Sequence, residues 1–141
     1  MTQVDFYLLN ETSAQARHLV ACRIVEKAFQ TQQTVYIHVD TPREASQIDD
    51  LLWSFRPGSF IPHRVNTTDQ EAAQVTISAT PQTSCSAHVL VNLSQHVPEF
   101  FQQFARVVEI VEGDEQTRQR GRERFRYYRN IGITPLTHHL T

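Results

Sequence analysis

The sequence predicts a single α/β domain of three layers, α/β/α, built on a mostly parallel sheet. Apolar, β-branched runs alternate with segments of helical period from the N-terminus onward, the order that gives parallel strands joined by helical crossovers. A length of 141 residues is enough for one hydrophobic core. No internal repeat, linker or low-complexity tract divides the chain.

"VDFYLL" (Val4 to Leu9) reads as the first strand, and the Asn-Glu-Thr-Ser that follows supplies turn and helix-capping chemistry. From Ala14 the apolar residues Ala16, Leu19, Val20, Ile24, Ala28 and Phe29 fall near a 3.6-residue period, an amphipathic helix. "TVYIHV" (Thr34 to Val39) is β-branched and aromatic, a second strand. Thr41 can cap the next helix, Pro42 suits its first position, and Glu44 completes a spacing like a capping box. Ile48, Leu51, Leu52 and Phe55 continue that helix until Pro57-Gly58 stops it. A long connection, "SFIPHRVNTTDQEAAQ", leads to the short strands "QVTIS" and "HVLVNL", with a polar loop between them. "VPEFFQQFA" reads as a short helix and "RVVEIVE" as a strand. Gly113-Asp114 then opens a last helix from Glu115 to about Asn130, and residues from about 134 to 141 read as a flexible tail.

The composition narrows the function classes. An apolar fraction of 40% is ordinary for a folded protein and too high for a disordered one. No run approaches the roughly 18 apolar residues that span a bilayer. "MTQVDFYLLN" has neither a basic region nor a small-residue cleavage site, so no secretory signal is expected and the chain reads as cytoplasmic. Cys22 and Cys85 lack CxxC spacing, and Cys22, inside an apolar helical pattern, reads as a buried free thiol.

Sites for the commoner chemistries are missing from the pattern. The first strand-to-helix turn, "NETSAQ", holds none of the four glycines, so neither a dinucleotide fingerprint nor a P-loop is present. The seven histidines form no HxxxH or HExxH, and no metal site is expected. His38 and His88 fall in strand patterns, where a hydrogen-bonded structural role is the stronger reading. A Cys85–His88 dyad stays open, without an activating context, and no GxSxG elbow appears. No catalytic residue and no cofactor is expected.

Two stretches remain. "RQRGRERFRYYRN" (Arg118 to Asn130) carries six arginines against Glu123 alone, a local charge of +5 that leaves −7 on the rest of a chain whose net charge is −2. Such polarity points to an anionic ligand. At 100° per residue Arg118, Arg122, Phe125, Arg126 and Arg129 share one face, and like charges four residues apart, such as Arg118–Arg122, weaken an isolated helix. Pairing of the arginines with carboxylates elsewhere in the fold, or with the helix dipole, is the competing explanation. "LLWSFRPGSFIPH" (Leu51 to His63) crowds Trp53, Phe55, Phe60 and Ile61 around a helix end. Trp53 points about 200° away from Phe55, so it either covers a sheet edge or offers an aromatic patch to a partner.

With "FYLLN" at the start, "LLWSFRPGSFIPH" in the middle and "RGRERFRYYRNIGI" near the end, the chain resembles the chi subunit family of bacterial DNA polymerase III, accessory proteins of the clamp loader. The resemblance implies a Rossmann-like fold without catalytic activity of its own, within a DNA-directed DNA polymerase holoenzyme. It further implies a bridge between the psi subunit and the acidic C-terminal tail of single-stranded DNA-binding protein, which ends in Pro-Phe with a free carboxylate. The implied tail-binding residues are Arg118, Arg122, Phe125 and Arg126. Arg118 and Arg126 stand where the family often has Lys, and Phe125 where Tyr can occur. The implied psi interface is Trp53, Phe60 and Pro62 with Phe55 and His63, and a repair helicase competing for that patch is left open. DNA would be contacted indirectly, at the replisome, and no membrane is involved. The alternative is direct binding of single-stranded nucleic acid by the same arginines with Tyr127 or Tyr128 stacking, against the repulsion of the acidic remainder.

Overall fold

A computed structural model describes residues 2–10, 12–54, 63–65, 75–79 and 88–140. In chain order the elements are β1 (Gln3–Leu9), α1 (Ala14–Gln30), β2 (Val35–His38), α2 (Pro42–Ser54), β3 (His63–Val65), β4 (Val75–Ser78) and β5 (Val89–Asn92). A 3-10 turn (Phe101–Gln103), β6 (Arg106–Val111), α3 (Glu115–Asn130) and β7 (Leu136–Leu140) complete it. The strands form one sheet in the order β3-β4-β2-β5-β6-β1-β7, and every pairing is parallel. The fold is the expected Rossmann-like α/β/α sandwich.

The period of two along each strand builds both cores. Val35, Ile37, Val89, Val91, Val108 and Ile110 face α1 and α2 in one cluster; Val4, Phe6, Tyr36, Leu90, Val107 and Val111 face the 3-10 turn and α3 in the other. All four residues of β5 are buried, as a parallel strand covered on both faces requires.

Local signals start the helices. Ser13 accepts from the Ala16 amide at 3.0 Å to cap α1, and Thr41 accepts from the Glu44 amide at 3.2 Å before α2. The most buried residues of α1 are His18, Ala21, Cys22, Val25 and Ala28, and Ala16, Val20, Ile24 and Phe29 of the expected apolar set pack against the same core partly buried. Cys22 is a free, fully buried thiol, and burial pushes its pKa up to about 12.

Three expectations are corrected. Within the long connection, His63–Val65 pairs with β4 as an edge strand. The short helix at Phe100 to Phe104 is a single 3-10 turn, which buries Phe100, Phe101 and Phe104 and leaves Gln102 and Gln103 exposed. The flexible tail at 134–141 instead contains β7, paired from Asp5↔Leu136 to Leu9↔Leu140. His138 holds it: its ring stacks on Tyr7 at 4.7 Å, and its Nε2 lies 3.1 Å from the buried Asp5 carboxylate.

Candidate functional site

α3 is positioned by its own first turn and by a buried charge. Asp114 accepts from the Thr117 amide at 3.0 Å, a cap that holds the Asp114 carboxyl below its usual range. The inner face of α3 is Gly121, Arg124 and Tyr128. Glu109, in the middle of β6, takes Arg124 Nε at 2.9 Å, Tyr128 OH at 2.7 Å and Asn92 Nδ2 at 2.8 Å. Burial pushes Glu109 upward while Arg124 and the donors from Asn92 and Tyr128 pull against it. Burial and the neighbouring Glu109 push Tyr128 far up, so its hydroxyl remains a donor. Gly121 lets α3 approach β6 closely: a Cβ there would lie 2.9 Å from Val111 Cγ2.

This pinning fixes the rotation of α3, and the remaining arginines fan out around it. Arg118, Arg122, Phe125 and Arg126 all line one cleft of about 420 Å³ between α3 and the sheet, with Arg129 beside them. Phe6, Leu8 and Val111 make an apolar floor, and Thr137 of β7 contributes the far side. Phe125 is half-buried, its ring 5.3 Å from that of Phe6. Arg118 donates to the Leu9 carbonyl at 3.2 Å, which steadies it at the cleft. Arg122 is exposed and reaches Gln119 at 3.0 Å and Glu115 at 3.4 Å, the latter a weak exposed pair. The cleft therefore sets guanidinium donors around an apolar slot. That arrangement suits a ligand with both carboxylates and a ring or alkyl group.

The explanation that the arginines serve the fold holds for part of the helix. Arg124 is 7% exposed and paired internally, and Arg120 turns to a different, polar cleft at the carboxyl edge of the sheet. There Arg17 bridges Glu44 at 2.9 Å and Glu112 at 3.1 Å, and His18 reaches Glu44 at 2.9 Å. Arg129 was legible on the shared arginine face; Thr137 was not, since its strand was unforeseen. Glu109 also left a signal: one carboxylate inside an apolar strand implies a buried partner.

Trp53 projects from the last turn of α2 and is 55% exposed. Phe55, Phe60 and Pro62 lie outside the described residues, as does Cys85, and of His63 only the backbone, at the start of β3, is described. His88 has a structural place, its Nδ1 accepting from the Thr34 amide at 3.1 Å. Among the described residues no group of three His, Cys, Asp or Glu could hold a metal, and no helix is long and apolar enough to cross a membrane.

Residues 1–135 match the family described as DNA polymerase III chi subunit, HolC. The chain belongs to the DNA polymerase III chi subunit family. DNA polymerase III subunit chi of Pseudomonas aeruginosa is 39% identical over 139 residues, covering 99% of this chain and 96% of that one. The subunit chi of Escherichia coli is 28% identical over 94% and 95%, and that of Haemophilus influenzae 26% over 91% and 90%. Membership makes this chain an accessory subunit of bacterial DNA replication. The solved C-terminal domain of the DEAD-box protein Dbp5 superposes with a TM-score of 0.66 over 96% of this chain and 91% of that one. At 12% identity it shares the fold alone.

Proposed function

We propose that this chi-family chain is a non-catalytic adaptor of the cytoplasmic replisome. Its α3 cleft takes the acidic C-terminal tail of single-stranded DNA-binding protein, and the end of α2 around Trp53 docks a psi subunit of the clamp loader. The observation that carries the reading is the cleft itself: Arg118, Arg122 and Arg126 ring an apolar floor that Phe125 extends. Guanidinium groups take the terminal carboxylate and the acidic side chains, while the terminal phenyl ring lies over Phe6, Leu8 and Val111. Tail binding in the micromolar range corresponds to about −8 kcal/mol, and it weakens with salt.

Arg122 and Arg120 provide the test, since they share a helix and a charge but line different clefts. Charge-assisted hydrogen bonds contribute roughly 1.5–3 kcal/mol, so Arg122→Ala weakens an acidic peptide ending in Pro-Phe by about tenfold to a hundredfold. Arg120→Ala changes it little. Equal losses from both substitutions would mean a diffuse electrostatic attraction and would sink the cleft assignment. Tight binding of bare single-stranded DNA at physiological salt would favour the direct nucleic-acid reading instead.

A further inference from the structure

The cleft runs onto the last strand of the sheet. Thr137 of β7 lies in register beside Phe6 and lines the cleft, while the next residue, His138, is locked on the opposite face by Tyr7 and Asp5. β7 is the terminal strand, and among the described residues its outer main-chain edge pairs with no other strand. Natural edges of this kind are usually blunted by lysine, by an inward-pointing charge, by proline or by a bulge. Leu136–Leu140, "LTHHL", has none of these, and Leu136 is 51% exposed. The strand also lacks any acidic residue, whereas the chain outside α3 is strongly acidic.

We propose that the outer edge of β7 is a docking strand for the main chain of the acidic peptide whose terminus enters the α3 cleft, so that the ligand extends the sheet by one strand. This rests on the peptide reading of the cleft and adds its mode of recognition. An extended peptide added to a sheet edge gains affinity from main-chain hydrogen bonds that are blind to sequence, and gains specificity from side-chain pockets. The α3 cleft supplies the pockets here, for ring and carboxylate, and β7 supplies the ladder. The Asp5 and Tyr7 contacts of His138 hold the edge in one register. A slip by a single residue would exchange the faces of Thr137 and His138 and alter the cleft wall. An acidic, extended segment is the favoured occupant because the cleft beside the edge is ringed by arginines and the strand itself carries no negative charge to repel it.

The experiment uses the full chain with a nine-residue acidic peptide ending in Pro-Phe-COOH, beside the same peptide N-methylated at alternate residues upstream of the proline. Amide hydrogen exchange is followed across Leu136–Leu140 together with affinity. The parent peptide should slow exchange in β7 by about tenfold or more, and N-methylation should cost about tenfold in affinity, the effect of losing one or two main-chain hydrogen bonds. Parent binding that leaves β7 exchange unchanged, with the methylated peptide bound equally well, overturns the docking strand while leaving the cleft reading intact. No binding of either peptide overturns both. Protection of β7 that grows with protein concentration and ignores the peptide assigns the edge to a second copy of the chain and likewise overturns the proposal.

Discussion

Arg122 and Arg124 stand two residues apart in α3 and have opposite fates. Arg124 is buried against Glu109, and Arg122 is exposed at the mouth of the cleft. Removing Arg124 leaves a carboxylate buried with only neutral donors, so Arg124→Ala should cost about 3–5 kcal/mol of stability in urea unfolding. Arg122→Ala should shift stability by no more than about 0.5 kcal/mol. A small loss for Arg124→Ala would mean that Glu109 does not anchor the helix. Asp5 offers a pH-dependent case. Burial opposes its ionisation, but hydrogen bonds from Arg106 at 2.7 Å and from His138 outweigh it and hold the carboxyl below its usual range. A depressed carboxylate contributes stability above its unfolded pKa of about 3.9, and that contribution is lost as pH falls through the lower folded value. Glu44 is depressed in the same direction; hydrogen bonding to His18 and the charge of Arg17 overcome its burial. Asp5→Asn should therefore lower Tm at pH 7, and the gap from the wild type should narrow as pH falls below about 4. A gap independent of pH would show that Asp5 acts by packing alone.

At the scale of elements, α3 shows how closely a helix can be set against a sheet. Gly121→Ala gains up to about 1 kcal/mol of helix propensity. Its Cβ nevertheless meets the buried Val111 side chain, and overpacking of this kind costs about 1–3 kcal/mol. The expected outcome of thermal unfolding is a less stable protein with a weaker peptide cleft; an increase in Tm would show that Val111 yields freely. The span of α3 was legible because Gly113-Asp114 supplies a start and no proline interrupts the run to Asn130. β7 was not, since "LTHHL" follows Pro135 and carries too little apolar alternation to announce a strand; its place depends on His138 meeting Asp5 from a position 133 residues away. β3 failed for a related reason, being three residues inside a polar connection. The inward turn of Arg124 was equally hidden, because periodicity gives the faces of a helix but not which face the sheet will cover. The shared face of Arg118, Arg122, Phe125 and Arg126 needed only the 100° step, and those four side chains do meet at one cleft.

For the whole molecule, charge is arranged in two levels. The acidic body discourages long polyanions, and the arginine helix offers a local positive site, so the expected ligand is short and acidic rather than a nucleic-acid strand. Tail binding should weaken severalfold between about 50 and 200 mM salt without vanishing, because the ring contact over Phe6 and Phe125 is not screened. Trp53 lies apart from α3 in the chain and is not among the described residues that line its cleft, so Trp53→Ala should weaken psi binding in a pull-down and leave tail affinity unchanged. The central claim, capture of a free C-terminal carboxylate by the arginine helix, is tested most directly by calorimetric titration with an acidic peptide ending in Pro-Phe-COOH beside its C-terminal amide. Micromolar binding of the acid with binding of the amide weaker by tenfold or more is the expected result. Equal affinity for the two peptides, or no binding of the acid, would contradict it.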